Sequence, residues 1–278
     1  MTDQAQKLRE LMYSKNKKGA SFITVTGSSG VGKSSFALNL AVILKRAGYR
    51  PLVVQVDKYR DKEGGTQDVS TDNLTYALRS KRNPQDLITT GSSGVMLLQG
   101  GDLYGISGYN VRLIRNGFMR LEGVADIILF DAQGSSQEVV ALAGASDRTF
   151  LLITPYREGL LGGYEIVKKM SIFKQDLKPF LVLNRAQIPE NVDLIMDNFI
   201  NTVWKYTRMS IFKMGHIIDD EVVRHADEVK RSYLLSFPDS EATADMEAIG
   251  EKYKKFLERE HGYRGSGEFL DEFFGKRQ

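Results

Sequence analysis

The chain has 278 residues, 42 % of them hydrophobic, a net charge of +3 and no cysteine. This length supports one large core, and the charge is too small and too evenly spread to argue for nucleic acid. Without cysteine there are no disulfides, thiolate zinc sites or cysteine-held iron–sulfur clusters, and no apolar run approaches the ~18 residues of a membrane span or resembles a signal peptide, so a cytoplasmic chain is expected.

The first segment, residues 3–12, reads as a short amphipathic helix with Ala5, Leu8, Leu11 and Met12 on one side, joined by a basic linker at 14–19. Residues 22–26 then form an apolar strand that runs into Gly27, Ser28, Ser29, Gly30, Val31, Gly32, Lys33 and Ser34. That stretch fits G-x-x-x-x-G-K-[ST], the phosphate-binding loop, and it sits between a strand and the helix expected over 34–47. Its backbone N–H groups can line a cavity for a β-phosphate, aided by the positive end of the helix that follows, which begins with Ser34 and Ser35. Lys33 would reach the β- and γ-phosphates, and the Ser34 hydroxyl would help hold Mg²⁺.

Further strands are expected at 52–56, 95–98, 127–131, 149–154, 180–184 and 210–214. Helices are expected between most of them, at 74–80, 110–121, 136–143, 159–173 and 191–207, with a later one near 241–260. Strand, helix, strand in succession predicts an α/β fold, a mostly parallel twisted sheet with helices on both faces. In such sheets ligands sit at the carboxyl ends of strands, which groups the loop with Asp57, Asp131, Asn184 and Arg185. Asp131 fits a carboxylate supporting Mg²⁺ through its water shell; Asp57 would orient an attacking water; Asn184 would recognise an adenine amino group, with Arg185 stacking beside it. Each acid also has a plainer use, as a turn or cap residue. His216, His225 and His261 show no metal spacing. Beyond a glycine-rich 261–267, Phe269, Leu270, Phe273 and Phe274 share one face of a short helical stretch.

The order of phosphate loop, Asp57, Asp131, Thr154-Pro155 and Leu183-Asn184-Arg185 resembles the MinD/ParA family of deviant Walker ATPases, over residues 20–260. The resemblance implies ATP or ADP with Mg²⁺ and an ATP-dependent homodimer. Within the family, Asp3-Gln4-Ala5-Gln6-Lys7-Leu8-Arg9 resembles the D-Q-A-x-x-L-R arm of its flagellar branch, FlhG or YlxH. That implies a regulator of flagellar number and placement, with Asp3, Gln4, Ala5, Leu8 and Arg9 meeting the GTPase FlhF, and with flagellar C-ring proteins as further partners. A short tethered helix that cannot stand alone in water is waiting for a groove, on a partner or on its own domain. The division expected is an arm and linker at 1–19, the nucleotide domain at 20–260 and a tail at 261–278.

Several positions depart from the family pattern. The lysine that family members send across to the partner subunit's nucleotide is Ser28, and the next glycine is Ser29. The first acid after the second strand is Gln55, the switch-glycine position is Ser135 with Gly134 before it, the adenine-side proline is Ile218, and Pro-Glu after the fifth strand is Pro155-Tyr156. A cation aimed at developing phosphate charge is worth ~10³–10⁵ in rate when it is an arginine finger, so its loss predicts a degenerate, slow or inactive ATPase. The tail resembles the family's membrane-targeting helix, which implies reversible contact at the inner face of the cell membrane through Phe269, Leu270, Phe273 and Phe274. Its acids Glu268, Asp271 and Glu272 suit docking on protein equally well. The competing readings are an active ParA-like partition ATPase that binds DNA non-specifically and a pilus-assembly localiser.

Overall fold

Apolar, β-branched runs set the sheet. The computed structural model describes residues 19–56, 72–103, 111–132, 137–187, 191–259 and 265–275. Among them the strands are β1 (Ser21–Gly27), β2 (Pro51–Val56), β3 (Thr89–Thr90), β4 (Met96–Gln99), β5 (Ile127–Ala132), β6 (Arg148–Ile153), β7 (Phe180–Ala186) and β8 (Phe212–Ile218). They form one sheet in the order β3-β4-β2-β5-β1-β6-β7-β8. Every pairing is parallel except β3 with β4. β1 and β5 are buried along their whole length, as parallel strands covered on both faces must be. The expected α/β architecture is the observed one.

The helices are α1 (Lys33–Arg46), α2 (Leu74–Ser80), α3 (Val111–Val124), α4 (Gln137–Ala145), α5 (Arg157–Phe173), α6 (Val192–Thr207), α7 (Glu221–Glu228), α8 (Tyr233–Ser236), α9 (Glu241–Arg259) and α10 (Gly265–Gly275). Alternate residues of the strands divide between two faces. Ile23, Val25, Leu129, Phe150 and Leu152 pack with α1, α8 and α9 through Phe36, Leu40, Tyr233, Ile249 and Tyr253. Phe22, Leu52, Ile128 and Phe130 face Phe118 of α3, Leu142 of α4 and Phe269 and Leu270 of α10. Leu151, Ile153, Leu181 and Leu183 continue that second face under α5 and α6.

The tail is a correction to the expected membrane contact. Phe269 is 1 % exposed, Leu270 1 % and Phe273 3 %, and Phe274 packs against the same core. The Phe269 ring stacks on Phe22 of β1 with centroids 4.3 Å apart and lies 5.4 Å from Phe130 and 5.7 Å from Phe118. The acids that suited lipid poorly find basic partners on the protein: Asp271 pairs with Arg115 at 2.7 Å and Glu272 with Lys174 at 3.2 Å. In this arrangement Phe269, Leu270 and Phe273 are core residues, with Phe274 partly buried beside them, and the three are not available to a membrane. No described helix is long and apolar enough to cross one.

Two smaller differences have local causes. β8 begins at Phe212 and not at 210, because Arg208 ends α6 in the left-handed region and the Met209 amide bonds back to the Thr207 hydroxyl. α7 was not expected; Asp220 caps it by accepting from the Val222 amide at 3.0 Å. At the outer edge, Lys252 of α9 donates to the carbonyls of Lys213 and Met214 on β8, at 2.6 and 3.2 Å.

Candidate functional site

The loop after β1 lies at the centre of the sheet because β1 does. In register, Val25 lies beside Asp131, and Asp131 lies beside Gln55 of β2. The carboxyl ends of β2, β5 and β1 thus bring one carboxylate to the mouth of the loop. Ser34, the second residue of α1, donates its hydroxyl to Asp131 Oδ2 at 2.5 Å. Asp131 is 2 % exposed while Ser34 is exposed, so the pair joins a buried carboxylate to the solvent-facing start of α1.

Lys33 is 3 % exposed and its Nζ donates to the Ser28 carbonyl at 2.7 Å. Burial lowers its pKa from the ordinary lysine value, and the Asp131 charge works in the opposite direction. That bond folds the ammonium back onto the start of the loop.

The loop needs its glycines for two separate reasons. Gly32 has φ +89°, a left-handed conformation, and a Cβ there would fall 2.3 Å from Asn184 Nδ2. Gly27 instead lies under β6, where a Cβ would stand 2.5 Å from the Leu152 carbonyl oxygen. Asn184, at the end of β7, donates to the Val31 carbonyl at 2.8 Å and is 6 % exposed. Its amide therefore holds the loop, a contact not foreseen from a base-recognition role. Arg185 follows with φ +59°, turning the chain at the mouth of the site.

Two of the departures from the family pattern have visible surroundings. Ser28 faces α5, where a Cβ on Gly162 would lie 2.5 Å from the Ser28 Cβ. Gln55 accepts from the Gln99 amide at 2.7 Å, so the second strand ends in a neutral amide pair beside Asp131. Among sequence candidates, Gly27 to Ser35, Asp131, Asn184 and Arg185 come together at one end of the sheet. Asp57, Gly134 and Ser135 lie outside the described residues, as do Asp3, Gln4, Ala5, Leu8 and Arg9.

One neighbour was missed. Partial desolvation pushes the Asp227 carboxyl of α7 above the ordinary aspartate range, while the Ser35 hydroxyl and the Arg185 guanidinium act in the opposite sense. The cap at Asp220 was the signal that α7 exists, but nothing local in the sequence aims Asp227 at Ser35.

The donor set fits a nucleotide with Mg²⁺: a glycine-bounded loop, a buried ammonium, and a hydroxyl within hydrogen-bond reach of a carboxylate. Comparison with known proteins agrees. Residues 22–233 match the family model described as the CobQ/CobB/MinD/ParA nucleotide binding domain. The flagellum site-determining protein YlxH of Helicobacter pylori is 30 % identical over 207 residues, which are 68 % of this chain and 69 % of that one. The antiactivator FleN of Pseudomonas aeruginosa is 22 % identical over 243 residues, covering 83 % of this chain and 85 % of its own. Among solved structures, the septum site-determining protein MinD of Pyrococcus horikoshii, complexed with Mg-ADP, superimposes with a TM-score of 0.63 at 21 % identity. That match covers 86 % of this chain and 97 % of the other.

Proposed function

The chain belongs to the CobQ/CobB/MinD/ParA nucleotide-binding family, and from that premise we propose that it is a MinD-like regulator of flagellar number and placement. It binds ATP or ADP with Mg²⁺, hydrolyses ATP slowly or not at all, and acts on the GTPase FlhF through Asp3, Gln4, Ala5, Leu8 and Arg9. The observation that carries the reading is the likeness to the Helicobacter pylori flagellum site-determining protein over two thirds of both chains. The arm motif at residues 3–9 supports the choice of partner.

At the site, the backbone from Ser28 to Lys33 binds phosphate, Lys33 swings from the Ser28 carbonyl to phosphate oxygens, and Ser34 with Asp131 would hold Mg²⁺. Mg²⁺ supplies charge neutralisation at the β- and γ-phosphates. Asn184 Nδ2 keeps Val31 in place while its Oδ1 is the atom suited to accept from an adenine amino group. With Ser28 in the place of a cation and Gln55 tied to Gln99, the site favours holding a nucleotide over breaking it. Binding without rapid turnover suits a switch read by partners.

The test uses a peptide of residues 1–20 added to purified FlhF. GTP hydrolysis should rise, and Gln4→Ala should abolish the rise; no stimulation by the unmodified peptide would remove FlhF as the partner.

A further inference from the structure

Both ends of the described chain meet on one carboxylate. Glu122, in the last turn of α3, accepts at Oε1 from the Ala20 amide at 3.1 Å and from the Ser266 amide at 2.6 Å. Its Oε2 accepts from the Ser266 hydroxyl at 2.6 Å. Ala20 is where residues 1–18 lead into β1, and Ser266 lies in the first turn of α10. The two backbones touch at this point. A Cβ on Gly19 would fall 2.5 Å from the Gly265 Cα and 2.9 Å from Glu122 Oε1. Gly265 itself has φ +69°, a left-handed turn that lets α10 start against Gly19.

The energetics of the three bonds are unequal. The two bonds to Ser266 are short and join a carboxylate to the positive end of a helix, where a negative charge is favoured. The bond to Ala20 is longer and shares Oε1 with the Ser266 amide. If α10 leaves, the carboxylate loses the two donors that orient it and hydrates, and water then competes for its remaining bond.

We propose that Glu122 couples the two ends of the chain: docking of α10 and anchoring of the chain at Ala20 form one cooperative event. A partner that lifts α10 from its groove also frees the root of residues 1–18, and a partner that pulls on those residues weakens α10 by the same factor, since such coupling is reciprocal. The coupling goes beyond the function proposed above and stands whichever protein binds the arm.

Trypsin reports on it in the full-length protein. Cleavage of the Lys18–Gly19 bond, read by mass, requires the segment through Ala20 to detach, so its rate follows opening at that point. Phe269→Ala, which loosens α10 and also removes the stacking of Phe269 on Phe22 of β1, should speed this cleavage about tenfold or more, of which the part carried by Glu122 is the worth of one hydrogen bond to a charged group. In a Glu122→Ala background the bond is already fast to cleave, and Phe269→Ala should add a smaller factor than it does with Glu122 in place, the remainder being the lost contact with Phe22. Should Phe269→Ala fail to fold, Ser266→Ala removes one donor without touching the core and should speed cleavage about fivefold. Urea midpoints read at Trp204, the single tryptophan, separate local from global opening. Unchanged cleavage in Ser266→Ala, or equal factors for Phe269→Ala with and without Glu122, would overturn the coupling.

Discussion

Lys33 is the buried cation of the site. Its ammonium is buried against the Ser28 carbonyl, and burial lowers its pKa from 10.5 against a smaller opposing effect of Asp131. The unfolded chain therefore binds more protons than the folded one between the depressed value and 10.5, and stability rises with pH across that window. Urea titrations at about pH 7 and about pH 9.5 should show wild type gaining on Lys33→Met; parallel pH dependence would mean that the ammonium is solvated. A bound polyphosphate reverses the effect, because its negative charge draws the pKa back up and binding takes up a proton. Residues of the loop were legible in the sequence because their chemistry is local, eight positions between a strand and a helix. The use of Asn184 was only half legible. Its bond to Val31 spans 153 positions, and no pattern in either segment encodes the other. Glu122 was illegible for the same reason.

Among the elements, α10 carries the largest revision. Its apolar face was readable at helical spacing, but spacing says nothing about what covers a face. Phe269 stacks among Phe22, Phe118 and Phe130, which come from a strand and a helix far earlier in the chain. Phe269→Ala should lower stability in urea by about 3–5 kcal/mol, the cost of emptying a buried phenylalanine site. A helix resting on lipid would leave stability in solution unchanged. The seven parallel strands were legible to within a few residues, since buried parallel strands read as continuous β-branched runs, whereas the two-residue antiparallel β3 was not expected. α7 was not, because its sequence, EVVRHADE, is largely polar and only the Asp220 cap announces it.

The whole molecule is organised about the central strands, and that has a measurable consequence for ligand linkage. The phosphate loop grows from β1, flanked by β5 and β6, so a nucleotide bound there is tied to the middle of the sheet. Trp204 lies in the last turn of α6, at the opposite end of the strands. Mg²⁺ with ADP at about 100-fold its dissociation constant should add ~2.7 kcal/mol, a rise of several degrees in Tm. The shift should be equal whether read by Trp204 fluorescence or by far-UV circular dichroism. An unmoved Trp204 transition would divide the sheet into separate units.

At the rim of the sheet the Lys252 ammonium occupies two successive carbonyls of β8. A lysine held against the outer strand places a charge beside the open edge, one of the ways in which sheets discourage strand addition. The opposite border, β3, is two residues long and too short to template a neighbour. Among the described residues both borders are thus poor templates for an added strand.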